Sequence, residues 1–170
     1  AATRGKILPV YIIEDDHPRS PGGASHWWLE HSLKALKKEL AGLLVFRGNP
    51  ETILEALAHS VDAGAVFWNR RYDPNGVERD KTVKKHLRRL GLEVKSFNGS
   101  LLNEPWEVST ASGTPFKVFS PYWRAAIALP VSSPINSPNF QSVLPADGIA
   151  NLKPCCLTQA EPNWTINWKQ

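Results

Sequence analysis

Two polar stretches hold most of the residues able to do chemistry. The first, EDDHPRSPGG (14–23), sets the acids Glu14, Asp15 and Asp16 ahead of a glycine-rich loop that opens onto paired tryptophans, Trp27 and Trp28. The second, NRRYDPNGVERD (69–80), is dense in hydrogen-bonding groups: Asn69, Arg70, Arg71, Tyr72, Asp73 and Asn75. Taken alone, the second reads equally well as a polar turn built around Asn75-Gly76. Together the two could rim one cleft with an aromatic floor, the usual form of a small-molecule site. Adjacent helical side chains project about 100° apart, so Trp27 and Trp28 cannot share one core stripe. Trp27 is expected in the core and Trp28 on the ligand side, or the reverse if the helix begins one residue later. The partner of the outer indole is then a planar ligand or the face of a neighbouring domain.

Other chemistries find no support. No glycine-rich run joins a strand to a helix with the spacing of a Walker loop or a dinucleotide fingerprint. The five histidines, His17, His26, His31, His59 and His86, show no metal-ligand spacing. No Ser–His–Asp ordering stands out. Cys155 and Cys156 are neighbours, which suits neither a disulfide framework nor a paired metal knuckle. Asn98-Gly99-Ser100 and Asn163-Trp164-Thr165 match the glycosylation pattern, but no secretory signal accompanies them. An intracellular, cytoplasmic and reducing setting is expected. No run approaches ~20 apolar residues, so no membrane span is expected.

The elements that must position these groups follow from apolar runs. ILPVYII (7–13), LLVF (43–46), AVFW (65–68) and LEVKSF (92–97) have strand length, and LLVF and AVFW are apolar throughout, as strands covered on both faces should be. Helical segments lie between them over 24–41, 50–62 and 78–90, the second opened by Asn49 as N-cap and Pro50 at the first helical position. Strands alternating with helices of this length imply parallel pairing with right-handed crossovers. The fold class is α/β, an open, doubly wound parallel sheet of the Rossmann-like kind. Both polar stretches then fall at carboxyl ends of strands, where such sheets bind ligands. After Leu129 the character changes. Residues 130–170 hold Pro130, Pro134, Pro138, Pro145, Pro154 and Pro162 and read as an extended connector on a surface, with Trp164 and Trp168 as anchors near its end. The expected organisation is one α/β domain over 1–129 and the connector over 130–170.

Charge is uneven. The net charge is +4, and RDKTVKKHLRR (79–89) carries six basic residues against one acid. The plain reading is a solvated helix face, and a nucleic-acid contact is the sharper one, with nothing aromatic interleaved in the run.

SHWWLEHSLKAL, VFWNRRYDPNGVERD, SFNGSLLNEPWEV and FKVFSPYWRA, in this order and spacing, resemble the amino-terminal antenna domain of the DNA photolyase and cryptochrome family over roughly residues 7–128. PNWTINW (162–168) resembles the approach to that family's second domain. The resemblance implies an antenna chromophore, a deazaflavin or methenyltetrahydrofolate, that passes excitation energy to FAD in a helical domain beyond Gln170. In the full-length protein that domain would grip DNA at a pyrimidine dimer and split the dimer by light-driven electron transfer. By the same resemblance the chromophore site is lined by Ile13 and Glu14 at the strand end, Ser25 and Trp28 at the helix start, and Asn69, Arg71, Asp73, Asn75 and Arg79 from the second stretch. His26 stands where the family often has arginine.

The resemblance also implies a strand and a helix ahead of Ala1, that strand forming the centre of a five-stranded sheet between 7–13 and 65–68. Without it two edges would be left with unpaired backbone groups, and the chain would not be a comfortable monomer. Gly76 stands where folate-binding members typically carry a glutamate that accepts from the pterin ring, so the antenna is expected in a deeper pocket near the strand ends and Trp28. The residues named would repair nothing by themselves, because the electron donor is a cofactor. Two rival readings are a cryptochrome photoreceptor and a small nucleotide-binding or stress-sensing α/β module, which should show a phosphate loop.

Overall fold

The computed structural model describes residues 5–14, 22–40, 42–131, 133–136 and 140–145. Asp15 and Asp16, most of the glycine-rich loop, the cysteine pair and residues 146–170 with Trp164 and Trp168 lie outside the described residues.

The chain alternates strand and helix as its apolar runs dictate: β1 (Lys6–Ile7), β2 (Val10–Ile13), α1 (Gly23–Glu39), β3 (Leu44–Arg47), α2 (Pro50–Ser60), β4 (Ala65–Asn69), α3 (Pro74–Arg89), β5 (Glu93–Phe97), α4 (Phe119–Ala126) and β6 (Gln141–Ser142). Among the described residues every strand pairing is parallel: β2 with β3, β4 with β5, and β1 with β6. The expected strand over 7–13 is divided at Pro9, which has no N–H to give a ladder. Its first part pairs with β6, inside the segment expected as connector, and its second part with β3.

Both interior helices start on the same device. Asn49 Oδ1 accepts from the Glu51 amide at 2.7 Å, with Pro50 opening α2. Asp73 Oδ2 accepts from the Gly76 amide at 2.8 Å, with Pro74 opening α3. The expectation that α3 begins near residue 78 is therefore corrected by one turn. Asn75-Gly76 belongs to the helix and is not a turn, because a capped start with proline at the first position is more favourable than an isolated Asn-Gly turn. At the other end, Gly91 at φ +83° lets the Leu92 amide reach back to the Leu87 carbonyl and its own amide to the Arg88 carbonyl, the left-handed stop that glycine alone adopts without strain.

Among the described residues two separate cores result. Phe46, Ile53 and Leu57 form one, with Leu8, Val10, Ile12 and Leu44 packed against it. Val83, Leu87 and Val94 form the other, with Leu54, Val66, Trp68 and Leu92 around it. Each fully buried aliphatic or aromatic side chain contributes about 1.5–3 kcal/mol. No ladder joins β2 to β4 among the described residues, so the described strands form three separate parallel pairs and not one continuous sheet. The gap falls where the family resemblance puts a central strand. Burial is correspondingly inverted: β3 and β5 carry the buried residues Val45, Phe46 and Val94, while β2 and the first four residues of β4 are only half-buried.

Candidate functional site

The gap between the pairs is a cleft of about 690 Å³, within the ~300–1,000 Å³ range typical of small-molecule pockets. Val10, Tyr11 and Ile12 form one wall and Ala65–Asn69 the other, with Leu54, Leu57 and Val83 from the helices behind them. Its mouth, at the carboxyl ends of β2 and β4, is polar. Arg79 donates to Glu14 across the mouth and to Asp80 Oδ1 at 2.7 Å. The Arg71 guanidinium lies 3.8 Å from the same Glu14 oxygen and donates through Nε to Asp73 at 2.8 Å. Trp68 Nε1 donates to Asp80 Oδ2 at 2.8 Å, so one buried carboxylate ties the aromatic wall to the arginine at the rim.

These contacts shape the charge. Burial works against the Arg79 cation, but its hydrogen bonds to Asp80 and Glu14 outweigh that and raise its pKa. The hydrogen bond from Arg71, followed by that from the Gly76 amide, holds the Asp73 carboxyl below its ordinary value. Burial raises the Tyr11 phenol, with Arg71 opposing and Glu14 assisting. Such a rim presents donors and acceptors to a polar ring edge while the strand walls offer apolar and aromatic faces.

Of the residues named from sequence, Glu14, Asn69, Arg71 and Arg79 line the cleft. Asp73 stands beside it, holding Arg71 and capping α3. Ile13 ends β2, half-buried, its carbonyl accepting from the Gly48 amide at 2.9 Å. Ser25 and Asn75 are exposed on the first turns of α1 and α3. Trp28 is 69% exposed on α1 and is not among the cleft residues. Its neighbour Trp27 is half-buried and packs on His31 with ring centroids 4.1 Å apart. Two small residues set side-chain positions. A Cβ on Gly76 would lie 2.7 Å from both Arg71 Cβ and Asp73 Oδ1, and one on Gly99 would lie 2.5 Å from Asn69 Cγ.

Sequence reasoning missed Tyr11, Phe67, Trp68 and Asp80. Strand alternation marks Tyr11 as facing opposite to Val10 and Ile12, and the helix expected over 78–90 already carried Asp80 next to Arg79. Trp68 carried no such signal, since it reads as part of an apolar strand.

The DNA photolyase family model matches residues 1–139. The chain belongs to the DNA photolyase family. A deoxyribodipyrimidine photo-lyase from Agrobacterium fabrum is 48% identical over 126 residues, covering 71% of this chain and 26% of the relative. Cryptochrome-2 from Arabidopsis thaliana is 35% identical over 148 residues, covering 83% of this chain and 24% of the relative. The solved class III photolyase from Agrobacterium tumefaciens superposes with a TM-score of 0.80 at 38% identity, over 97% of this chain and 35% of that one. This photolyase-family chain thus spans about a quarter of the length of these curated relatives. Its parallel α/β architecture is that of the matching part of the class III photolyase. No helix among the described residues is long and apolar enough to cross a membrane.

Proposed function

We propose that this domain harvests light for a DNA photolyase, holding a planar antenna chromophore whose excitation energy passes to FAD in a helical domain that repairs pyrimidine dimers. The observation that carries the reading is the polar mouth of the β2–β4 cleft, where Glu14 faces both Arg71 and Arg79 above Tyr11 and Trp68. A ring edge with alternating donors and acceptors would exchange hydrogen bonds with this rim, and its π-face would lie on aromatic walls, each such contact contributing about 0.5–1.5 kcal/mol beyond buried area. The apolar interior between the unpaired strand edges suits a strand, so the chromophore belongs to the mouth.

Gly76 supports the deep position over a shallow one on its own helix turn. It is buried against Arg71 and Asp73 and offers no acceptor side chain. Ser25, Trp28, Asn75 and Ile13 complete the proposed set, with Trp28 offering its exposed face to any part of the ligand that extends past the rim. Deazaflavin and methenyltetrahydrofolate both fit this chemistry. Repair is favoured over photoreception by the 48% identity to a photo-lyase against 35% to a cryptochrome.

The test is fluorescence titration with each chromophore of wild type, Glu14→Gln, Arg79→Met, Trp28→Ala and Asn75→Ala. Binding should weaken at least tenfold, about 1.4 kcal/mol, in Glu14→Gln and Arg79→Met. Unchanged binding in both, with loss only in Asn75→Ala, would overturn the deep position.

A further inference from the structure

The basic run over 79–89 is not spent on the cleft beyond Arg79, and tertiary structure gives the rest of it unexpected neighbours. Lys84 Nζ donates to Ser96 Oγ at 2.6 Å and stands 5.6 Å from the centroid of the Trp68 ring. Arg70 Nε donates to the same hydroxyl at 3.3 Å, and its NH2 group to the Ser96 carbonyl at 3.0 Å. One helical turn after Lys84, Arg88 donates to the Val94 carbonyl at 3.2 Å. Val94 and Ser96 are two apart on β5 and share a face. None of Arg70, Lys84, Arg88 and Ser96 lines the cleft.

The charges on this face do not balance. Glu104 answers Arg70, and Asp80 answers Arg79. Among the described residues no carboxylate lies within 4.0 Å of the Lys84 ammonium or the Arg88 guanidinium. One neutral hydroxyl therefore receives hydrogen bonds from two cations, while Lys84 keeps two further donors and Arg88 is exposed. Burial, then the nearby Arg70, lowers the Lys84 pKa; Asp80 offsets this in part, and Arg88 lowers it further.

We propose that Lys84, Arg88 and Ser96 form a phosphate-binding site on the α3–β5 face, separate from the chromophore cleft. A tetrahedral oxyanion would accept from the spare Lys84 and Arg88 donors and from the Ser96 hydroxyl, charge-assisted bonds that are about twice as strong as neutral ones. The phosphate could belong to a small monoester or to a nucleic-acid backbone, and Arg70, stacked 4.9 Å from the exposed Trp106 ring, stands beside it for either.

The experiment follows backbone amide shifts of the 170-residue chain during titration with sodium phosphate, thymidine 5′-monophosphate or a thymidine octanucleotide, against sodium chloride at equal ionic strength. Saturable shifts at Ser96 and Lys84 with phosphate and the mononucleotide are expected, weakened at least tenfold in Lys84→Met, which keeps its stem on Trp68, and in the exposed Arg88→Gln. An octanucleotide that binds more tightly than the mononucleotide at these same amides assigns the site to a nucleic-acid backbone. Three results would each overturn the site: shifts reproduced by chloride, unchanged affinity in Arg88→Gln, or shifts with all three phosphate probes that bypass the Ser96 and Lys84 amides. If Lys84→Met melts early, Arg88→Gln with an unchanged circular dichroism spectrum decides.

Discussion

Glu14, one residue past the end of β2, is ion-paired with Arg79 of α3 across the mouth of the cleft. The contact joins the two halves of a sheet that no ladder connects among the described residues. Both side chains are about three-quarters buried, at 25% and 24% exposure, so screening by water is limited. Glu14→Gln should lower stability by about 1–2 kcal/mol, read as a drop in the urea midpoint at unchanged slope. An unchanged midpoint would show that the helix layer alone holds the halves together.

The gap makes a prediction for individual amides. In a parallel ladder alternate N–H groups point to opposite sides. The Arg70 amide donates to Phe97, and the Leu44 amide to Pro9, which assigns the Val66 and Trp68 amides to β5 and leaves those of Phe67, Asn69 and Ile12 facing the cleft. Hydrogen exchange at Phe67 and Asn69 should be at least tenfold faster than at Val66 and Trp68. Uniform protection along β4 would mean that both edges are occupied in solution.

Two glycine substitutions should separate stability from the site. Gly76→Ala drives a methyl group into Arg71 Cβ and the capping Asp73 carboxylate, at a cost of about 1–3 kcal/mol. The three atoms nearest a Cβ at Gly99 all belong to the Asn69 side-chain amide, whose far end can shift more cheaply than backbone. Gly99→Ala should leave the melting temperature nearly unchanged while altering chromophore affinity. Equal melting temperatures for the two variants would contradict this contrast.

Asp73 predicts a pH dependence. Its folded pKa lies below the ordinary 3.8, so the unfolded state binds the proton more readily. Its stabilising contribution is complete above the unfolded value and is lost as pH falls through the folded one. Urea midpoints should decline below about pH 4 in wild type, and the decline should be shallower in Asp73→Asn. Parallel curves for the two proteins would remove Asp73 as a source.

Much of the scaffold was legible because it rests on local rules. The Asn49-Pro50 start of α2 follows from capping chemistry within four residues, and the parallel pairing follows from the spacing of apolar runs. The same capping rule applied to Asp73-Pro74 would have found the true start of α3, but the Asn75-Gly76 pair two residues on carries a competing turn signal. The first strand is expected whole over 7–13, although Pro9, with no N–H for a ladder, divides it. What pairs with its leading fragment, Gln141–Ser142, lies more than 130 residues away, with no local cue.

The candidate site was legible only in part, and for a different reason. Strand ends and the polar stretches after them are sequence-local, so Glu14, Asn69, Arg71 and Arg79, which line the cleft, are legible in the sequence. Whether Trp28 or Trp68 faces the cleft is set by how an element rotates against its neighbours, which no single stretch encodes. Sequence determined the α/β class, the family and the charges available at the sheet's carboxyl end. Tertiary structure alone decided that Asp80 would bind Trp68 and Arg79 together, and that Lys84 would meet Ser96 twelve residues on. Electrostatic and packing energies depend on distances between groups far apart in the chain, and those distances exist only once the chain has folded.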